Sequence, residues 1–204
     1  MLISKPENEG WLGKYATNTF ENYQISEYKK AVALVKNKRV ALDLGANLGI
    51  MSYRMCRDFD FVHSFEPLFY EHLEKNVQAT NIRVYPCAVG ESEKTVTMRV
   101  GQYHSGGSNV VSGPLDSSQT YKEGVPVIAI DSLNLGIVDF IKIDIEDYEW
   151  YALQGSENTI KRNLPVILME LKITNPFYSQ ILDFMQQFNY THEFVGEFDC
   201  IFKV

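Results

Sequence analysis

Val40-Ala-Leu-Asp-Leu-Gly-Ala-Asn-Leu-Gly-Ile50 is the stretch on which the architecture turns. Val40, Ala41, Leu42 and Leu44 make an apolar run of the length a buried parallel strand takes. The run stops at Gly45, Gly49 follows four residues later, and an amphipathic segment with Ile50, Tyr53 and Met55 comes next. Strand, glycine turn and helix together form the nucleotide-approach unit of doubly wound folds. Gly45, lacking a Cβ, lets a ligand come against the backbone. Gly49 relieves crowding at the helix start, whose N–H groups face an anionic group. The spacing is not Gly-x-Gly-x-x-Gly, because Ala46 and Asn47 follow Gly45. This argues against a nicotinamide dinucleotide and for another adenosine-bearing ligand.

A second apolar run (Phe59, Phe61, Val62, Phe65) leads into Glu66-Pro67. A carboxylate at the end of a second strand accepts hydrogen bonds from ribose hydroxyls. In open α/β sheets ligands bind outside the carboxyl ends of the strands, which selects Asp43, Gly45, Glu66, Cys87, Asp144, Glu146 and Glu170. Lys142, Asp144 and Glu146 are spaced by two, so along a strand they point to one side. Charges in an apolar strand must be paired, bound to ligand or near solvent. For Lys142 the plain structural alternative is an internal ion pair with Asp144 or Glu170.

Three motifs, Asp43-Leu-Gly-Ala-Asn-Leu-Gly49, Phe65-Glu-Pro67 and Ile141-Lys-Ile-Asp-Ile-Glu146, resemble those of the FkbM family of S-adenosylmethionine (SAM) methyltransferases, over about Val40 to Leu171. The resemblance implies a Rossmann-like class I methyltransferase: an α/β fold with a seven-stranded, mostly parallel sheet, an antiparallel C-terminal hairpin and helices on both faces. It implies SAM contacts from Asp43, Gly45, Ala46, Asn47, Gly49, Glu66, Pro67, Cys87, Ala88 and Asp144. Catalytic candidates are Asp144, Glu146, Glu170 and Lys142, with Asp144 either the base or the seat of the SAM amino group. Asp144 and Glu170 also resemble the magnesium positions of metal-dependent O-methyltransferases, and oxygen ligands suit Mg²⁺, Mn²⁺ or Ca²⁺ rather than zinc. The family reads Asp-x-Glu-Gly after the fourth strand, whereas Asp147 stands in place of the glycine. If that glycine serves a left-handed turn, aspartate partly replaces it, since it tolerates that region; if it admits the substrate closely, Asp147 narrows the pocket and adds charge.

The activity expected is O-methylation of a hydroxyl on a sugar, glycan or small polyhydroxy metabolite. The competing readings are a nicotinamide oxidoreductase and a non-catalytic SAM-fold interaction module. With 204 residues, 45% of them hydrophobic, the chain has room for one proper core. A net charge of −7, with Lys and Arg scattered, argues against nucleic acid as partner. Three widely spaced cysteines fit a reducing compartment and neither a zinc site nor a disulfide framework. No apolar run reaches the ~20 residues of a membrane span. The first ten residues lack a basic start and an apolar core, so the reading is cytoplasmic, without a signal peptide.

In order, residues 1–38 read as an irregular arm, anchored by Trp11 and Tyr15, then a helix from Phe20 to Lys38; residues 39–204 form the SAM-binding domain. Ile82–Val89 reads as one edge strand broken by Pro86. The Gly- and Ser-rich stretch Gly101–Gly124, with His104, reads as a substrate lid or as disorder. A single helix is expected over Tyr148–Lys161, another over Pro176–Phe188, and a hairpin joined at Gly196-Glu197.

Overall fold

A computed structural model describes residues 4–7, 22–101 and 105–204. The proposed anchors Trp11 and Tyr15, the start of the first helix at Phe20, and His104 lie outside the described residues. Strand β1 (Val40–Leu44) is the centre of the main sheet, pairing in parallel with β2 (Phe61–Phe65) and with β8 (Phe140–Ile143). β3 (Ile82–Tyr85), β9 (Val166–Glu170), β10 (Thr191–Phe194) and β11 (Asp199–Lys203) complete seven strands in the order β10-β11-β9-β8-β1-β2-β3. Only β11 runs against its neighbours, so the mostly parallel sheet with an antiparallel C-terminal hairpin is as expected.

Alternation along these strands explains why both faces carry helices. Ala41, Val62, Phe140, Leu168 and Ile201 point to one side and meet helices α1 (Ile25–Val32) and α2 (Ile50–Asp58) through Tyr28, Ala31, Val32, Met51 and Met55. The residues between them, among them Leu42, Leu44, Ile141, Ile143, Ile167 and Met169, point the other way. There they bury α4 (Glu149–Gln154), α5 (Glu157–Asn163) and α6 (Tyr178–Gln187). The Tyr28 hydroxyl donates to Asp58 at 2.7 Å and ties α1 to α2. Helix α3 (Tyr70–Asn76) packs Leu73 beneath Ala46 of the turn after β1.

Three expectations are corrected. The run Ile82–Val89 is two strands. Pro86 offers no N–H to continue the ladder, Cys87 N–H turns back to the Tyr85 carbonyl, and the chain leaves the main sheet. β3 remains the edge strand, as expected of a run containing proline. β4 (Ala88–Val89) then starts a second sheet, β4-β7-β5-β6, with β5 (Lys94–Val100), β6 (Asn109–Val110) and β7 (Thr120–Ile128). Secondly, Thr120–Gly124 belongs to β7 and pairs with β5 (Arg99 opposite Tyr121), while Asn109–Val110 is β6 on the other side of β5, so the stretch 101–124 is in part sheet. Its polar residues obscured the strand, and Asp116 accepts the amide and hydroxyl of Ser118 on the connection from β6 to β7. Thirdly, the helix expected over Tyr148–Lys161 is broken at Gly155-Ser156. There the Asp131 amide donates to the Gly155 carbonyl, and the Asp131 carboxylate caps α5 by accepting the amides of Asn158 and Thr159. No helix among the described residues is long and apolar enough to cross a membrane.

Candidate active site

The carboxyl ends of β1, β2, β8 and β9 open into a cleft of about 690 Å³. Gln24 ahead of α1, Ser105 and Ser108 near β6, and Glu197 to Asp199 at the hairpin add to its rim. Asp43, Gly45, Ala46, Asn47, Glu66, Pro67, Ala88, Lys142, Asp144, Glu146 and Glu170 all line it. Two expected contacts do not. Cys87 is 7% exposed and packs in the core with Phe65 and Val89, because the turn at Pro86 points its neighbour Ala88 at the cleft instead. Gly49 lies behind the wall, where an added Cβ would be 2.7 Å from Val77.

The turn after β1 also works differently from the sequence expectation. Gly45 has φ +84°, and an added Cβ would sit 2.0 Å from the Asp144 carbonyl oxygen. The missing side chain therefore makes room for the backbone after β8 rather than for a ligand. The amides of Gly45 and Ala46 go to the Phe65 carbonyl, Asn47 N–H to Glu66, and Gly49 N–H to the Ala46 carbonyl. These four donors serve the fold and are not held out to an anion.

Glu66 is the fixed point of one end. Its Oε1 accepts the amides of Leu68 at 2.8 Å and Phe69 at 3.0 Å, and its Oε2 accepts that of Asn47 at 2.9 Å. Burial pushes its carboxyl upward, while the three amides pull it back. A carboxylate offers about four acceptor positions, so Oε2 keeps capacity for a ligand hydroxyl. Ala88, Val89, Met98 and Leu68 supply apolar surface beside it.

The other end is charged. Lys142 is 2% exposed and pairs with Asp144 at 3.1 Å, so the plain structural reading of this lysine is the observed one. Burial opposes its ammonium, but Asp144, Asp199 and Asp43 hold its pKa above the usual lysine value. Asp43 takes the Ser52 hydroxyl at 2.6 Å, and burial raises its pKa to about 6. Glu170 and Glu146 share Lys172, at 3.0 and 3.1 Å. Burial, then the Asp144 charge, pushes Glu170 up to about 7. Oxygens of Asp144, Glu146 and Glu170 lie within 4.8 Å of one another, but the Lys172 ammonium already supplies a cation to two of them.

β8 ends at Ile143, so Asp144 and Glu146 sit on the following loop rather than alternating along a strand. Glu146 and Asp147 both take left-handed backbone, φ 52° and 69°, which is the role open to aspartate in place of the family glycine. Glu149, 1% exposed, braces this loop: it accepts the Ile145 amide at 3.2 Å and Asn175 Nδ2 at 2.9 Å. Sequence reasoning missed Glu149, Lys172, Gln24 and Asp199. Lys172 follows Glu170 by two and was findable by alternation; Asp199 reaches the site only through the pairing of β11 with β9.

Residues 43–191 match the family profile of the Methyltransferase FkbM domain, well over half of the chain. The chain belongs to the FkbM methyltransferase family. Its fold is similar to that of Methyltransferase FkbM from Methylobacillus flagellatus KT, at 18% identity and TM-score 0.52, over 82% of this chain and 44% of that one. A TehB-like SAM-dependent methyltransferase from Corynebacterium glutamicum ATCC 13032 Kitasato is similar at 12% identity and TM-score 0.50, over 95% and 94%. The chain thus spans less than half the length of the FkbM structure it matches. No curated protein sequence matches it.

Proposed function

We propose that the chain is a SAM-dependent methyltransferase that methylates a hydroxyl of a small polyhydroxy or glycan acceptor. The observation that carries this reading is Glu66: a carboxylate at the end of β2, locked by three amides, with acceptor capacity left at the cleft wall. Ribose hydroxyls would donate to it, with Gly45, Ala46, Asn47, Pro67, Ala88 and Asp43 forming the surrounding wall. When bound, SAM would supply a methyl group on a sulfonium, whose positive charge suits the carboxylates of Asp144 and Asp43.

Methyl transfer from SAM would require the protein to hold the acceptor oxygen in line with the sulfonium methyl group and to take up the hydroxyl proton on a base, the thioether leaving as S-adenosylhomocysteine. Glu170 suits that base, because a pKa near 7 allows it to be ionised and to take a proton at neutral pH. Asp144 lies within reach of the same place and is held by Lys142, which acts as a positioning residue. The Lys172 bridge favours charge compensation from within the protein over a Mg²⁺ ion at Asp144 and Glu170. Free Cys56, Cys87 and Cys200 fit a cytoplasmic enzyme. The test is incubation with SAM carrying a labelled methyl group and a panel of sugars and polyols, with EDTA in a parallel set. Label in an alkali-stable ether, undiminished by EDTA, is the expected result; transfer only to nitrogen, or none with any hydroxyl, contradicts it.

A further inference from the structure

At the charged end, two buried acceptors are not matched by donors. Asp199 is only 8% exposed and lines the cleft. Its Oδ2 takes a long hydrogen bond from Gln24 Nε2, 3.4 Å, but its Oδ1 is buried with no hydrogen-bond partner among the described residues. Gln24 Oε1, on the same rim, is in the same state. Lys142, the nearest source of charge on the strand side, gives its ion pair to Asp144 instead. A buried carboxylate oxygen without a donor is costly and rare in a native protein. Around it, Asp144, Glu146, Glu170 and Glu197 line the cleft against the ammoniums of Lys142 and Lys172. Carboxylates outnumber cations there, so a positive donor is favoured over a neutral one and an anion is repelled.

We propose that Asp199 and Gln24 form the seat of an ammonium group. That group has two sources: the α-ammonium of the methionine end of SAM, which rests on the function proposed above, or a primary amine on the acceptor. The test is calorimetry on the full chain with S-adenosylhomocysteine and with 5′-methylthioadenosine, which keeps the nucleoside and lacks the amino-acid end. If the cofactor supplies the ammonium, Asp199→Asn weakens S-adenosylhomocysteine about tenfold or more and leaves 5′-methylthioadenosine unchanged. If the acceptor supplies it, both nucleosides bind unchanged, while a preference for glucosamine over glucose, measured with S-adenosylhomocysteine present, falls by a similar factor. Gln24→Leu moves the same ratio in the same direction and carries the test should Asp199→Asn fail to fold. Equal losses for both nucleosides, or no change in either ratio, overturn the seat. A wild-type chain that binds neither nucleoside refutes the cofactor reading instead, and leaves the seat to the glucosamine comparison.

Discussion

Glu66 braces the fold through three amides and, on the proposed reading, would hold the ligand with the same carboxylate, so its variants separate the two. Glu66→Ala leaves the amides of Asn47, Leu68 and Phe69 without their acceptor and removes the proposed ribose contact. A charge-assisted bond is worth about 1.5–3 kcal/mol, so S-adenosylhomocysteine affinity should fall roughly tenfold to a hundredfold, read by calorimetry on protein shown to be folded by circular dichroism. Unchanged affinity contradicts the assignment. Glu170 makes a second prediction at this scale. If it is the base, the rate climbs with pH through about 7, and Glu170→Gln lowers turnover by about 10²–10⁴ and abolishes that limb. A variant with an unshifted pH–rate profile removes Glu170 from the chemistry. Glu66 and Glu170 were legible in the sequence because each ends an apolar run, and Asp43 and Asp144 because each interrupts one near its carboxyl end. Lys172, which bridges Glu146 and Glu170, was overlooked although its spacing signalled it.

Among elements, the turn after β1 and the loop after β8 are built against each other. Gly45→Ala must both hold φ +84° and clear the Asp144 carbonyl at 2.0 Å. The left-handed backbone alone costs about 1–2 kcal/mol for an L residue. With the clash added, the melting temperature should drop by more than about 4 °C, measured by calorimetry. A melting point equal to wild type would mean that the two segments do not touch. Asp147, also left-handed, predicts the opposite for a glycine: Asp147→Gly should be near neutral and Asp147→Ala destabilising by about 1 kcal/mol. The strand–turn–helix unit was readable from the spacing of Gly45 and Gly49, but the reason for Gly45 was not, since its neighbour is 99 residues away in the chain. The second sheet escaped for a related cause. Thr120 to Gly124 carry no apolar alternation and become a strand only by pairing with β5. The break between α4 and α5 depends on Asp131, a cap from outside the helix, which no local periodicity reports.

For the whole molecule, burial of carboxylates beneath one end of the sheet sets how stability follows pH. Glu149 titrates at about 7 in the fold against an ordinary 4.5, so its protonated form is the one the fold favours. Its contribution is complete below about 4.5 and is lost as the pH rises to about 7. For this nearly inaccessible group the difference is on the order of 3 kcal/mol. Glu170 and Asp43 shift the same way. Urea unfolding should therefore show lower stability at pH 8 than at pH 5, and Glu149→Gln should reduce that difference. A flat profile in both proteins contradicts it. The alternation of strands and helices and the hairpin at the end followed from runs of apolar residues and turn signals along the chain, and the seven-stranded sheet from the family resemblance, whereas the order of strands around β1 is seen only in the fold. The acidic cleft followed only in part: the carboxyl ends of the parallel strands gave Asp43, Glu66, Asp144, Glu146 and Glu170, while Glu197 and Asp199 join them only in the fold. The account rests on that cleft holding an adenosyl amino acid, and titration of the full chain with S-adenosylhomocysteine and, separately, NAD tests it most directly. Saturable binding of S-adenosylhomocysteine with one site per chain, and none of NAD, is the result expected; binding of NAD alone, or of neither ligand, would contradict it.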